Sequence, residues 1–162
     1  MSECFAIISL SSGKAVSVHS EIQEWSKFPK LRTYEETKPD LSGQISRTSN
    51  NVEVNLSHFR EEDNQFWFWD GSTIRSKKYP NKVLDFHFYG WKQRGLGKVY
   101  LYDHHGKPNQ RWKLVNGELI LEYQKLRLTQ DDGLKICCES ADAEKNQKWT
   151  LEVTSKRYVN FK

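Results

Sequence analysis

The chain lacks most of what would place it in a specialised class. Its three cysteines (Cys4, Cys137 and Cys138) are an odd number with no CxxC pair and no Cys/His spacing. They make neither a disulfide framework nor a zinc module. Cys137 and Cys138 are adjacent, so on a strand one points inward and the other outward. Long apolar runs are missing too. Phe5 to Leu10 is the N-terminal apolar stretch, six residues with no basic residue before it. That is far short of the ~20 a membrane helix needs and too short for a secretory leader. The expectation is a cytoplasmic protein without a transmembrane segment, whose export would need an unconventional route. Charge of one sign is scarce: 25 Lys+Arg against 21 Asp+Glu leave +4. The C-terminal Lys156, Arg157 and Lys162 are too sparse for a nucleic-acid footprint. There is no HExxH, GxSxG, Walker or paired-carboxylate pattern, which argues against an enzyme. His104 and His105 are neighbours that face opposite ways on a strand, without a third ligand at suitable spacing, so no metal or other cofactor is expected.

What the chain has is aromatic side chains. Its apolar fraction is only 36%, yet 8 Phe, 7 Tyr and 6 Trp make 13% of it. A length of 162 residues suits one domain with one core. Short β-branched or aromatic runs recur along it: 5–9, 14–18, 52–56, 65–69, 73–76, 82–86, 99–102, 110–115, 118–122, 125–129, 134–138 and 147–151. Turn chemistry separates them, at Asp70-Gly71, Tyr79-Pro80-Asn81, Asn116-Gly117 and Asp131-Asp132-Gly133. Asn116-Gly117 between two alternating runs is the clearest hairpin signal. No segment carries a sustained 3.6-residue apolar stripe. The reading is all-β, with twelve strands and no helix.

An internal repeat organises these strands. Asn64-Gln65-Phe66-Trp67, Asn109-Gln110-Arg111-Trp112 and Asn146-Gln147-Lys148-Trp149 share the pattern Asn-Gln-x-Trp, with tryptophans 45 and 37 residues apart. Twelve strands then divide into three units of four, about 3–69, 70–114 and 115–153, in a single domain over 1–162. One unit cannot bury its aromatic face alone. Three around a pseudo-threefold axis can, and closure removes exposed sheet edges. The first unit carries an insertion at about 20–50, which includes Trp25, and a short basic tail occupies 154–162.

Three Gln-x-Trp units of this kind resemble the β-trefoil of ricin B-type (R-type) lectins over nearly the whole chain, from Phe5 to about Val153. The resemblance implies that Trp67, Trp112 and Trp149 are core residues and that each Gln organises its own repeat. It also implies a sugar site built from an Asp ending the second strand of a unit, an aromatic on the third and the Asn of the motif. Such groups suit a saccharide, whose carbon-rich face stacks on a ring while its hydroxyls need carboxylate and amide partners. The second unit fits, with Asp85, Tyr102, Asn109 and Gln110. Its stretch Leu101 to Trp112 is similar to the lectin domains of polypeptide N-acetylgalactosaminyltransferases, where a His three residues after the Tyr corresponds to His105. The link from His105 to Asn109 is one residue shorter here, and Lys107-Pro108 replaces a glycine pair. Asp85, Tyr102, His105, Asn109 and Gln110 are thereby implied to bind terminal galactose or N-acetylgalactosamine on glycans, with Trp91 as an additional contact. In the first unit Ser17 stands in place of the Asp and Asn55 about where the aromatic belongs; in the third, Leu128 and Cys137 do so. One site of three is expected to work, with self-association as a route to avidity. A different expectation is a protein-interaction trefoil that uses the 20–50 insertion and binds no sugar.

Overall fold

The structure, a computed structural model, describes residues 3–19, 52–88, 97–133 and 135–153. The 20–50 insertion, Trp91 and the basic tail fall outside them. Among the described residues twelve strands follow in chain order. The first four are β1 (Phe5–Ser9), β2 (Ala15–Val18), β3 (Val52–Ser57) and β4 (Trp67–Asp70). The next four are β5 (Thr73–Ser76), β6 (Lys82–Phe88), β7 (Gly97–Asp103) and β8 (Trp112–Val115). The last are β9 (Glu118–Leu121), β10 (Arg127–Gln130), β11 (Ile136–Glu139) and β12 (Trp149–Val153).

Pairing closes six of these strands into a ring. β1 pairs β12 along its length and meets β4 at Phe5↔Trp67; β4 pairs β5, and β8 pairs β9. The two remaining seams are closed by the Trp112 amide donating to Ser72 O at 2.8 Å and the Trp149 amide donating to Gly117 O at 2.7 Å. The other six strands form three hairpins, β2–β3, β6–β7 and β10–β11, with β3, β7 and β11 packed against one another. A six-stranded barrel capped by three hairpins around a pseudo-threefold axis is a β-trefoil. The Asn116-Gly117 turn is the expected hairpin: both residues have positive φ, 52° and 80°, as a two-residue type I′ loop between right-twisted strands requires.

The core gathers the inward alternate positions of every unit with the motif tryptophans. Trp67, Trp112 and Trp149 are all buried, alongside Ile7, Val16, Leu84, Leu101, Leu119 and Leu128. Each indole N–H, which would be costly to bury unpaired, donates to a carbonyl of the second strand of its own unit: Trp67 to Val16 O, Trp112 to Leu84 O and Trp149 to Leu128 O, at 3.1, 3.2 and 2.9 Å. Cys138 lies in this core while Cys137, next to it on β11, is half-buried on the opposite face, and all three cysteines are free thiols. Among the described residues no helix is long and apolar enough to cross a membrane.

The sequence reading starts three strands at the Gln of the motif, and here the structure differs. Gln65 and Gln110 end short 3-10 turns, Asp63–Gln65 and Pro108–Gln110, and β4, β8 and β12 start only at the tryptophans. The Gln65 and Gln110 amides close these turns, donating to Glu62 O and Lys107 O at 2.8 Å each, so they are not offered to a neighbouring strand.

Candidate functional site

The β6–β7 hairpin sets Asp85 directly opposite Tyr100 and Val83 opposite Tyr102. Opposed and next-but-one residues of a hairpin share a face, so Asp85, Tyr100 and Tyr102 lie together. The 3-10 turn Pro108–Gln110 then delivers two amides to the carboxylate. Asn109 Nδ2 donates to Asp85 Oδ1 at 3.0 Å and to Phe86 O at 3.1 Å; Gln110 Nε2 donates to Asp85 Oδ2 at 2.6 Å and to Asp103 O at 2.9 Å. His105 Nε2 stands 3.5 Å from the same Oδ2, and its ring meets Tyr102 edge-on, with centroids 6.2 Å apart. Of the residues expected to form a site, Asp85, Tyr102, His105, Asn109 and Gln110 are thus brought together.

Gln110 needs a correction. It is fully enclosed, its two N–H bonds go to Asp85 and Asp103, and its Oε1 accepts from the His105 and Gly106 amides at 2.9 and 3.0 Å. An amide offers two donors and two acceptor lone pairs, so nothing remains for a ligand. Gln110 is a positioning residue for Asp85 and for the 103–106 turn, not a contact.

Electrostatics sharpen the picture. Asp85 is only 5% exposed. Burial pushes its carboxyl up from 3.8 to about 6, against the pull of the Gln110 and Asn109 hydrogen bonds. It is therefore mostly ionised at neutral pH, with two of its roughly four acceptor positions taken by amides. His105 is held below its ordinary value, by burial first and then by the Lys107 and His104 charges. The Lys107 amide donates to His105 Nδ1 at 3.0 Å, so the neutral ring carries its proton on Nε2, the atom facing Asp85. Together these groups offer a carboxylate acceptor and an imidazole N–H beside aromatic rings. Among the described residues no group of three or more His, Cys, Asp or Glu side chains is arranged to hold a metal ion.

The other units show what the carboxylate replaces. Gln65 Nε2 donates to Ser17 Oγ at 3.1 Å and to His58 O at 2.6 Å; Gln147 Nε2 donates to Thr129 Oγ1 at 3.2 Å and to Ser140 O at 2.8 Å. Ser17, Asp85 and Thr129 are equivalent. The assignment of Leu128 as the third counterpart is corrected: Leu128 bonds Trp149 through its carbonyl as Leu84 bonds Trp112, and its side chain is in the core. A shift of one residue on a strand exchanges inside for outside. The aromatic position moves as well. Asn55 and Cys137 oppose Ser17 and Thr129, so they correspond to Tyr100, and the counterparts of Tyr102 are Ser57 and Glu139. Neither unit has a carboxylate at the Asp85 position. Tyr100, which the sequence does not single out, stands two positions before Tyr102 and shares its face, opposite Asp85.

Several solved structures are similar in fold. They include a designed 3-fold symmetric protein, ThreeFoil (20% identity, 92% of this chain and 97% of that one, TM-score 0.64). The earthworm R-type lectin C-half in complex with GalNAc is another (13% identity, 94% and 99%, TM-score 0.64). So is the β-trefoil lectin of the Vibrio vulnificus hemolysin/cytolysin with N-acetyl-D-lactosamine bound (15% identity, 94% and 96%, TM-score 0.65). No protein-family model matches the chain, and no curated protein sequence does. At such identities the likeness is one of fold.

Proposed function

We propose that this trefoil is a non-catalytic glycan-binding module that takes a terminal galactose or N-acetylgalactosamine in its second unit, through Asp85, Tyr102, His105 and Asn109. The observation that carries the proposal is the exception at position 85. The fold needs only an acceptor for the motif Gln, and the first and third units supply a neutral hydroxyl, Ser17 or Thr129. The second unit buries a carboxylate there, which folding alone does not require and which burial penalises. A ligand with vicinal hydroxyls accounts for it. The acceptor sites of Asp85 would take two hydroxyl donors, while the half-buried Tyr102 ring would cover the apolar face of the sugar. The sugars in the earthworm and Vibrio lectin structures belong to the same class.

A single monosaccharide should bind weakly, with a Kd of ~0.1–1 mM, because association costs consume most of the contact energy. Avidity would come from self-association or from a multivalent glycan. The test is a glycan array read with and without free galactose, for the native chain and for Asp85→Thr. The variant copies the third unit, so its hydroxyl can accept from Gln110 and donate to the Val83 carbonyl, as Thr129 does to Arg127 O. Signals on galactosides that free galactose competes away and that Asp85→Thr loses are expected. Unchanged binding by the variant would refute the assignment.

A further inference from the structure

A row of side chains crosses three adjacent strands beside the proposed sugar site. Asp85 on β6 opposes Tyr100 on β7, and Tyr100 opposes Glu53 on β3. All three therefore project from one face, with the ring in the middle. Glu53 is exposed and Tyr100 half-buried. The carboxylates flank the ring two strand spacings apart, roughly 10 Å between backbones. One pyranose does not span that width; two linked ones do. Tyr100 also meets His87, ring centroids 6.0 Å apart, which stands two residues along β6 from Asp85 and so borders the ring from the Asp85 side. His87 is paired in register with Lys98, which adds an exposed hydrogen-bond donor at the outer edge.

We infer that Tyr100 and Glu53, with His87 and Lys98 at the rim, form a second subsite that takes the penultimate sugar of a neutral glycan whose terminal galactose lies against Asp85. The subsite rests on the galactose reading of the first, but it makes its own demand: two rings must bind better than one. It also joins two units of the trefoil, since Glu53 belongs to the first unit and Asp85 and Tyr100 to the second. A single-ring ligand would never reach Glu53, whereas a disaccharide would place hydroxyls of its second ring before the Glu53 carboxylate and an apolar patch against Tyr100. The preference is for uncharged glycans, because an acidic second sugar would meet Glu53 on one side and Asp85 on the other.

Calorimetric titration with methyl β-galactoside and with N-acetyllactosamine tests this. The native chain should bind the disaccharide about tenfold more tightly. Glu53→Gln, an exposed substitution that leaves the core intact, should weaken N-acetyllactosamine about fivefold while methyl β-galactoside stays within about twofold. Tyr100→Ala, checked by its melting curve, should bring the two ligands to nearly equal affinity. Equal affinities in the native chain, or disaccharide affinity unchanged in Glu53→Gln, would overturn the second subsite and leave the first standing. Binding of neither ligand by the native chain would overturn the galactose reading and the subsite with it.

Discussion

Replacing Asp85 by Thr should make the protein more stable at neutral pH while ending its binding of galactosides. Burial lifts the Asp85 carboxyl from 3.8 to about 6; at ~1.4 kcal/mol per unit, its ionised form costs the folded state about 3 kcal/mol relative to the protonated one. The sign follows from proton uptake. Because the folded-state value is raised, the folded protein holds more protons than the unfolded chain between about 4 and 6. The stability contribution is complete below about 4 and lost as pH rises through about 6. Thr at this position removes the charge but keeps an acceptor for Gln110, while Asn109 retains Phe86 O, as Asn64 retains Val18 O at 2.8 Å in the first unit. No buried donor is orphaned. The expected gain is about 1–3 kcal/mol at pH 7.5, shrinking toward zero near pH 4. Urea denaturation at both pH values measures it. With an m-value of ~2 kcal/mol/M, a 2 kcal/mol gain moves the midpoint by about 1 M. If Asp85→Thr were less stable than the native chain at pH 7.5, or its advantage the same at both pH values, the claim that this unit keeps a costly charge for a ligand would be refuted.

Two other outcomes follow from the same geometry. Galactoside affinity should fall on acidification as Asp85 takes up a proton, by about tenfold from pH 7.5 to pH 5 if about 6 is its value without ligand; a flat calorimetric profile across that range would place the acceptor elsewhere. Gln65→Ala should cost about 2–4 kcal/mol in chemical denaturation, because it strands the Arg60 amide, held at 2.8 Å, and His58 O, yet folded Gln65→Ala should still bind galactosides, since the first unit has no carboxylate at Ser17.

The repeat made much of the architecture legible. Three Asn-Gln-x-Trp motifs and the turn residues between strands point to twelve strands in three units because both signals are local. A buried tryptophan needs a carbonyl partner, and a two-residue loop with positive φ needs Asn-Gly. The boundaries at Gln65 and Gln110 were not legible, because the fold around them decides whether their amides join a strand or close a turn on Glu62 O and Lys107 O. The candidate site was half legible. Asp85, Tyr102, His105 and Asn109 came from a motif; the exclusion of Gln110 from ligand contact came only from counting its four hydrogen bonds. Thr129, rather than Leu128, became the counterpart of Asp85 only once Trp149 was seen to bond Leu128 O.

By itself the sequence determined the threefold plan, the aromatic core and which unit departs from its sisters, since each is written in residue identity and spacing. The tertiary structure alone decided register. Strands alternate with a period of two, so a one-residue uncertainty that no composition removes decides whether a side chain faces core or solvent. Pairing of β3 with β7 and of β6 with β7 settled that question, and with it the row from Asp85 through Tyr100 to Glu53, two residues of one unit and one from its neighbour, 32 positions apart in the chain at their closest.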